Sequence, residues 1–170
     1  GDLVVDGDDA PPLADLLLHQ ALVAWTVLGT VDRAATLTVE HVNGRVQFGK
    51  PIAAFQAVQF QLADAAVAVA GLRELAGFTL WRLDTHADGA RADVLALRLH
   101  ALEVARAVLR TCQQLHGAAG VCDEYDVSVL TRMIQPALRL PAGVDRTATD
   151  LAAAIAADGF VGLFPHGGAA

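Results

Sequence analysis

Apolar residues three and four positions apart recur along most of the chain, and they predict long helices almost from end to end. From Pro12 to about Val42, Leu13, Leu16, Leu17, Val23, Val27, Val31, Ala35 and Val39 mark the stripe of one long amphipathic helix. Pro11-Pro12 suits its start and Asn43-Gly44 its end or a bend. After the connector Phe48-Gly49-Lys50-Pro51, a second helix carries Phe55, Val58, Leu62, Ala66, Val69, Leu72, Ala76, Leu80 and Leu83 on one face. Asp84 to Gly89 reads as a loop, and a third helix runs from about Ala90 to Leu115 with Val94, Ala101, Ala105, Val108 and Cys112 as its stripe. His116-Gly117-Ala118-Ala119-Gly120 stops it. Asp123 is placed to cap a shorter helix through Val127, Leu130 and Met133 to about Leu138, which Pro136 bends or ends. Pro141-Ala142-Gly143 breaks the chain, Asp145 to Ala157 makes an alanine-rich fifth helix, and a glycine-rich tail follows. Three long helices joined by short loops, with a shorter one after them, predict an all-α antiparallel bundle.

Composition supports a packed core and narrows the partners. The 170 residues are 54% hydrophobic, with mean hydropathy +0.43, which excludes a disordered chain. Twelve basic against nineteen acidic side chains leave a net charge of −7, which argues against nucleic acid or an anionic membrane as the main partner. No run of apolar residues is long and uninterrupted enough to read as a spanning helix. Cys112 and Cys122 lack paired spacing, and the acidic N-terminus is unlike a secretory signal, so a cytoplasmic, reducing setting is expected.

The six histidines form no His-x-x-x-His or Glu-x-x-His pair, so no metal site is expected. Two segments stand out from a plain bundle. Arg45-Val46-Gln47-Phe48-Gly49-Lys50-Pro51-Ile52 crowds an arginine, an amide, an aromatic ring and a glycine into a helix-to-helix corner. Gln113-Gln114-Leu115-His116-Gly117-Ala118-Ala119-Gly120 sets small residues beside an amide and a histidine. An arginine with glycine-exposed backbone N–H groups suits a pyrophosphate, through charge-assisted hydrogen bonds and close approach. Read from pattern alone, both segments are equally open to being ordinary corners with a solvated Arg45.

Arg-x-Gln-Phe-Gly-Lys-Pro-Ile, followed by Phe55-Gln56-Ala57-Val58-Gln59 and Leu62-Ala63-Asp64, closely resembles the C-terminal domain of acyl-CoA dehydrogenases. Gln114-Leu115-His116-Gly117-x-x-Gly120 resembles that family's second flavin motif, and the resemblance extends from about Pro12 to Leu140. It implies a C-terminal four-helix bundle over residues 11–160. Residues 1–10, with Leu3 to Val5, would be the end of a preceding β domain or a linker, and 161–170 a flexible tail. It further implies an FAD site at a subunit interface. There Arg45 would meet the pyrophosphate, Gln47 and Phe48 the adenosine side, and Gln114, Leu115 and Gly117 would complete the cradle. Gln56 and Gln59 are weaker candidates.

The departures from the family pattern are as informative. The family's catalytic glutamate lies downstream of the Gly-x-x-Gly motif, where this chain has Leu140-Pro141-Ala142-Gly143, or in some members on the first long helix, where it has His19 beside Gln20. His19 is the one group at either seat able to accept a proton, although a lone histidine on a long helix is more often structural. Glu40, Glu74, Glu103 and Glu124 read as solvated helix or turn positions, and Arg98, Arg106 and Arg110 as their possible ion-pair partners. An FAD corner without a catalytic base resembles the non-catalytic subunit of heteromeric acyl-CoA dehydrogenases, built from two copies each of two related chains. The resemblance implies α,β-desaturation of an acyl-CoA, with a steroid side chain or a linear fatty acyl group as substrate, and a partner subunit carrying the glutamate. A structural bundle that stabilises a partner, and a flavin-dependent monooxygenase of the same superfamily, are the alternatives. A hetero- or homo-oligomer is expected in each case.

Overall fold

The computed structural model describes residues 12–158 apart from 87, 88 and 123. The expected extended piece at 1–10, the Asp123 cap and the tail at 161–170 lie outside the described residues. Six α-helices follow in order: α1 Leu13–Gly44, α2 Gln56–Thr85, α3 Arg91–His116, α4 Asp126–Met133, α5 Gln135–Arg139 and α6 Val144–Asp158. Helices α1, α2 and α3 run antiparallel in turn around one core, α4 and α5 pack against the α1–α3 pair, and α6 lies along α3. This is the expected all-α bundle.

Alanine is what lets the three long helices approach. On α1 the inward face is Leu17, Ala21, Ala24, Val27, Leu28, Val31, Ala34, Thr38 and Val42. The stripe read from the larger aliphatic residues was therefore partly displaced: Leu17, Val27 and Val31 are buried, whereas Leu13, Leu16 and Val39 are exposed. Small side chains occupy the seam because interhelical distance is set by the residues at the contact. On α2 the buried set is Ala65, Val69, Leu72, Ala76, Thr79 and Arg82, so Ala65 rather than Ala66 faces inward. The stripe expected on α3 is wholly buried. A second small cluster, Ala92 and Leu95 with Ala154, Leu151 and Ile155, fixes α6 on the first turns of α3.

Among the described residues one helix, α1, is long and apolar enough to cross a membrane by length and composition. Here its inner face packs on α2 and α3. Pro136 does not end a helix: Ile134 breaks the ladder after α4, and Pro136 sits in the first turn of α5, where its missing N–H has no intrahelical partner to lose.

Candidate functional site

Both unusual corners lie at the same end of the bundle, because α1 and α3 run parallel and each ends in one of them. The chain leaves α1 through Arg45, whose N–H donates to His41 O at 2.9 Å, and enters a minimal hairpin of β1 Val46–Gln47 and β2 Lys50–Pro51. Gln47 pairs with Lys50 and Val46 with Pro51, and the Ile52 N–H donates to Arg45 O at 2.8 Å to close the corner. At the tip Phe48 and Gly49 both have positive φ, +52° and +79°, as a type I′ turn demands.

Glycine adopts that geometry freely; phenylalanine does so at a cost of about 1–3 kcal/mol. Phe48 is moreover 93% exposed. A strained, solvent-facing aromatic residue gains nothing for the fold of this chain, apart from an edge contact to Phe55 at 6.3 Å. Lys50 Nζ lies 4.3 Å from the centre of the Phe55 ring and anchors the other side of the corner. Arg45 and Gln47 are exposed, and among the described residues neither side chain makes a hydrogen bond or ion pair. Gln56 is exposed, and Gln59 donates from Nε2 to Ala53 O at 3.0 Å, tying the turn before α2 to the helix.

The second corner begins where α3 ends. Gly117 has φ +60°, and a Cβ built on it would meet nothing within 4 Å, so its backbone is open to approach. Gly120 differs from the expectation that the small residues expose backbone. It is buried, and a Cβ there would stand 2.5 Å from Gln113 O and 2.9 Å from Gln113 Cα. Its role is close packing of the 3-10 turn Gly117–Val121 against α3. Gln114 is exposed and Leu115 half-buried.

The two corners are joined by a stacked pair of imidazoles that no single-chain periodicity signals. His41 and His116 lie 4.2 Å apart at 20°, and His116 is held by a 2.8 Å contact between Nδ1 and Cys112 O. Burial pushes the His41 pKa below the ordinary imidazole range, and His116 and Arg45 add to the effect. Beside the pair is a cavity of about 300 Å³ that Glu40, Glu124 and Asp126 also line. Among the described residues no group of three or more His, Cys, Asp or Glu side chains is placed to hold a metal ion.

Residues 14–156 match the family model of the acyl-CoA dehydrogenase C-terminal domain. The chain belongs to this family. The acyl-CoA dehydrogenase FadE28 of Mycobacterium tuberculosis is 32% identical over 141 residues, covering 79% of this chain and 41% of the relative. The acryloyl-CoA reductase (NADH) of Anaerotignum propionicum is 33% identical over 110 residues, covering 65% of this chain and 28% of the relative. Among solved structures, a variant of the Tcur3481-Tcur3483 steroid ACAD superposes with TM-score 0.79 at 26% identity, over 84% of this chain and 39% of that one. The ChsE4-ChsE5 complex from M. tuberculosis does so with TM-score 0.77 at 28% identity, over 82% and 38%. The chain thus spans well under half the length of the acyl-CoA dehydrogenases it matches.

Two positions singled out in this acyl-CoA dehydrogenase domain as seats of the family's base converge in space. Gln20 of α1 and Pro141-Ala142 of the α5–α6 connection line one cavity of about 400 Å³, which Arg98 and Asp150 share. Arg98 is only 2% exposed and does not pair with a glutamate, as the sequence suggested. Its guanidinium donates to Ala137 O at 2.7 Å, Leu140 O at 2.8 Å and Ala142 O at 3.0 Å, so it pins that connection. Burial lowers its pKa, and its Nε has no partner. Asp150 is bound to Arg146 through both carboxylate oxygens, at 2.8 and 3.0 Å. His19 is exposed on α1 and does not line the cavity. Glu40, Glu74, Glu103 and Glu124 are all exposed.

Proposed function

We propose that the chain is the C-terminal helical part of a flavin-dependent acyl-CoA dehydrogenase and acts in a heteromer as the side that completes an FAD site without supplying the catalytic base. The observation that carries this reading is the Arg45–Phe48 hairpin. A free guanidinium, a free amide and a strained, fully exposed ring project from the molecule instead of toward any cavity of its own, so whatever they grip lies against a second surface. The donor set fits FAD: Arg45 offers a paired charge-assisted contact to a diphosphate, Phe48 a face for a planar ring, and Gln47, Gln114 and the open backbone at Gly117 the remaining donors. When bound, FAD supplies the two-electron redox chemistry of an α,β-desaturation. The work of this chain's residues is binding, orientation and charge.

The absence of a carboxylate at either seat supports a division of labour in which the partner subunit removes the α-proton of the acyl-CoA. A steroid side-chain thioester is the substrate class suggested by the relatives, and the acyl pocket would be shared with the partner. Native mass spectrometry of the chain co-expressed with the dehydrogenase encoded beside it reports partner, stoichiometry and flavin in one spectrum. The expected result is a heteromer that retains FAD, and Arg45→Ala should empty the flavin while leaving the heteromer intact. A flavin-free homo-oligomer, or full FAD occupancy in Arg45→Ala, overturns the reading.

A further inference from the structure

A second cationic site lies away from the hairpin. Between the C-terminal half of α3, helices α4 and α5, and the start of α6 is a cleft of about 530 Å³. Its floor is apolar, with Leu102, Ala105 and Leu109 buried. Arg106, Arg110 and Arg139 line it, and no carboxylate does. The pairing of Arg106 and Arg110 with glutamates that the sequence suggested is not formed. Among the described residues none of the three guanidiniums makes an ion pair or hydrogen bond, although Glu103 precedes Arg106 by one turn and Asp145 opens α6.

Three free arginines around one cleft are unexpected in a chain of net charge −7. Arg106 and Arg110 stand at i and i+4 of one helix, where like charges repel and destabilise it. A bound anion removes that penalty. Gly143 and Val144 also line the cleft, so the first turn of α6 brings N–H groups without intrahelical partners and the positive end of its dipole to the same place. The half-buried Gln113 amide adds a neutral donor.

We propose that this cleft binds an organic diphosphate, with the phosphates held by Arg106, Arg110 and Arg139 and the apolar or planar part of the ligand against the Leu102–Leu109 floor. Planar guanidinium forks match phosphate oxygens in pairs, which a single charge or a monovalent anion would not need. FAD and coenzyme A both carry this group. The site is independent of the hairpin, because Arg45 does not line the cleft.

Titration calorimetry of the 170-residue chain with inorganic diphosphate, at low ionic strength, tests the proposal. The expected result is saturable binding that weakens at least tenfold in Arg106→Gln/Arg110→Gln. It should persist within about twofold in Arg106→Lys/Arg110→Lys, in Arg45→Ala and in the control Arg91→Gln, since arginines outside the cleft contribute only diffuse attraction. Thermal melts of each variant establish that the fold is retained. Titrations with FAD and with coenzyme A then distinguish the sources: the ligand whose affinity the double glutamine variant lowers tenfold is the one the cleft takes. No binding by the wild-type chain, an equal loss in Arg91→Gln, or diphosphate binding with no effect of the double variant on either organic ligand would mean an adventitious ion only and overturns the proposal.

Discussion

Glycine and histidine carry the residue-scale lessons. Gly29 and Gly120 look alike in the sequence, yet a Cβ at Gly29 would meet nothing within 4 Å, while at Gly120 it would meet Gln113 backbone at 2.5 Å. Gly29→Ala should raise stability by about 0.5–1 kcal/mol, because it removes unfolded-state freedom in an exposed helix interior. Gly120→Ala should cost about 1–3 kcal/mol, because the obstacle is backbone that cannot swing aside. Chemical denaturation of the two variants checks the contrast, and equal effects would mean the turn shifts freely. At His41 the pKa is held below the ordinary value of about 6.5 by burial, His116 and Arg45. The folded chain then binds fewer protons than the unfolded chain just below that value. Stability is full above it and falls as pH drops through it toward the lower folded pKa. His41→Phe keeps a ring against His116, so its urea midpoint should vary less between pH 7.5 and 5 than that of the wild type. An unchanged pH profile would assign the effect to another group.

At the scale of elements, helix existence was legible and helix facing was less so. Three- and four-residue spacing located all three long helices, since a buried stripe of any composition leaves that period. Which face of α1 turns inward was hidden, because Ala21, Ala24 and Ala34 make the seam while Leu13, Leu16, Leu18 and Leu22 point to solvent. Hydrophobicity ranks leucine above alanine, and close packing reverses the order. The hairpin motif was legible as chemistry, but the positive φ of Phe48 and the His41–His116 stack depend on tertiary geometry and leave no periodic trace. Neither did the join between α2 and α3. There Arg82 and Asp93, both nearly buried, pair at 3.0 Å across the loop. Removing one partner strands a buried charge, so Asp93→Ala should cost about 3–5 kcal/mol. Arg82→Met with Asp93→Leu should restore most of that loss. By contrast, Asp32→Ala, which breaks the half-exposed Arg73–Asp32 pair at 2.9 Å, should cost no more than about 1 kcal/mol. A double-mutant cycle read by denaturation separates the two cases, and a small loss in Asp93→Ala would show that water reaches the join.

At the scale of the whole molecule, the outer face of α2 sets the expectation for assembly. The inner face of that helix is complete, yet Phe60, Val67 and Trp81 remain 60%, 73% and 52% exposed, and Phe78 stacks beside Trp81 at 5.8 Å. Exposed apolar residues are ordinary when scattered, but these recur along one helix, and contiguous apolar surface of this kind marks protein contact. Gly77 and Phe78 open a shallow apolar depression next to Trp81, suited to a knob from a facing helix. A dehydrogenase domain that completes a cofactor site across an interface needs its hairpin held rigidly against the neighbouring subunit. Helix-to-helix contact along α2, the element the hairpin leads into, supplies that rigidity. Val67→Asp combined with Trp81→Ser should therefore lower the assembly mass measured by light scattering while leaving helical content and melting of the monomer unchanged. Flavin should be lost in the same variant even though Arg45 is intact, because a split site fails when its halves separate. An unchanged mass would move the interface away from α2, to the exposed leucines at the start of α1.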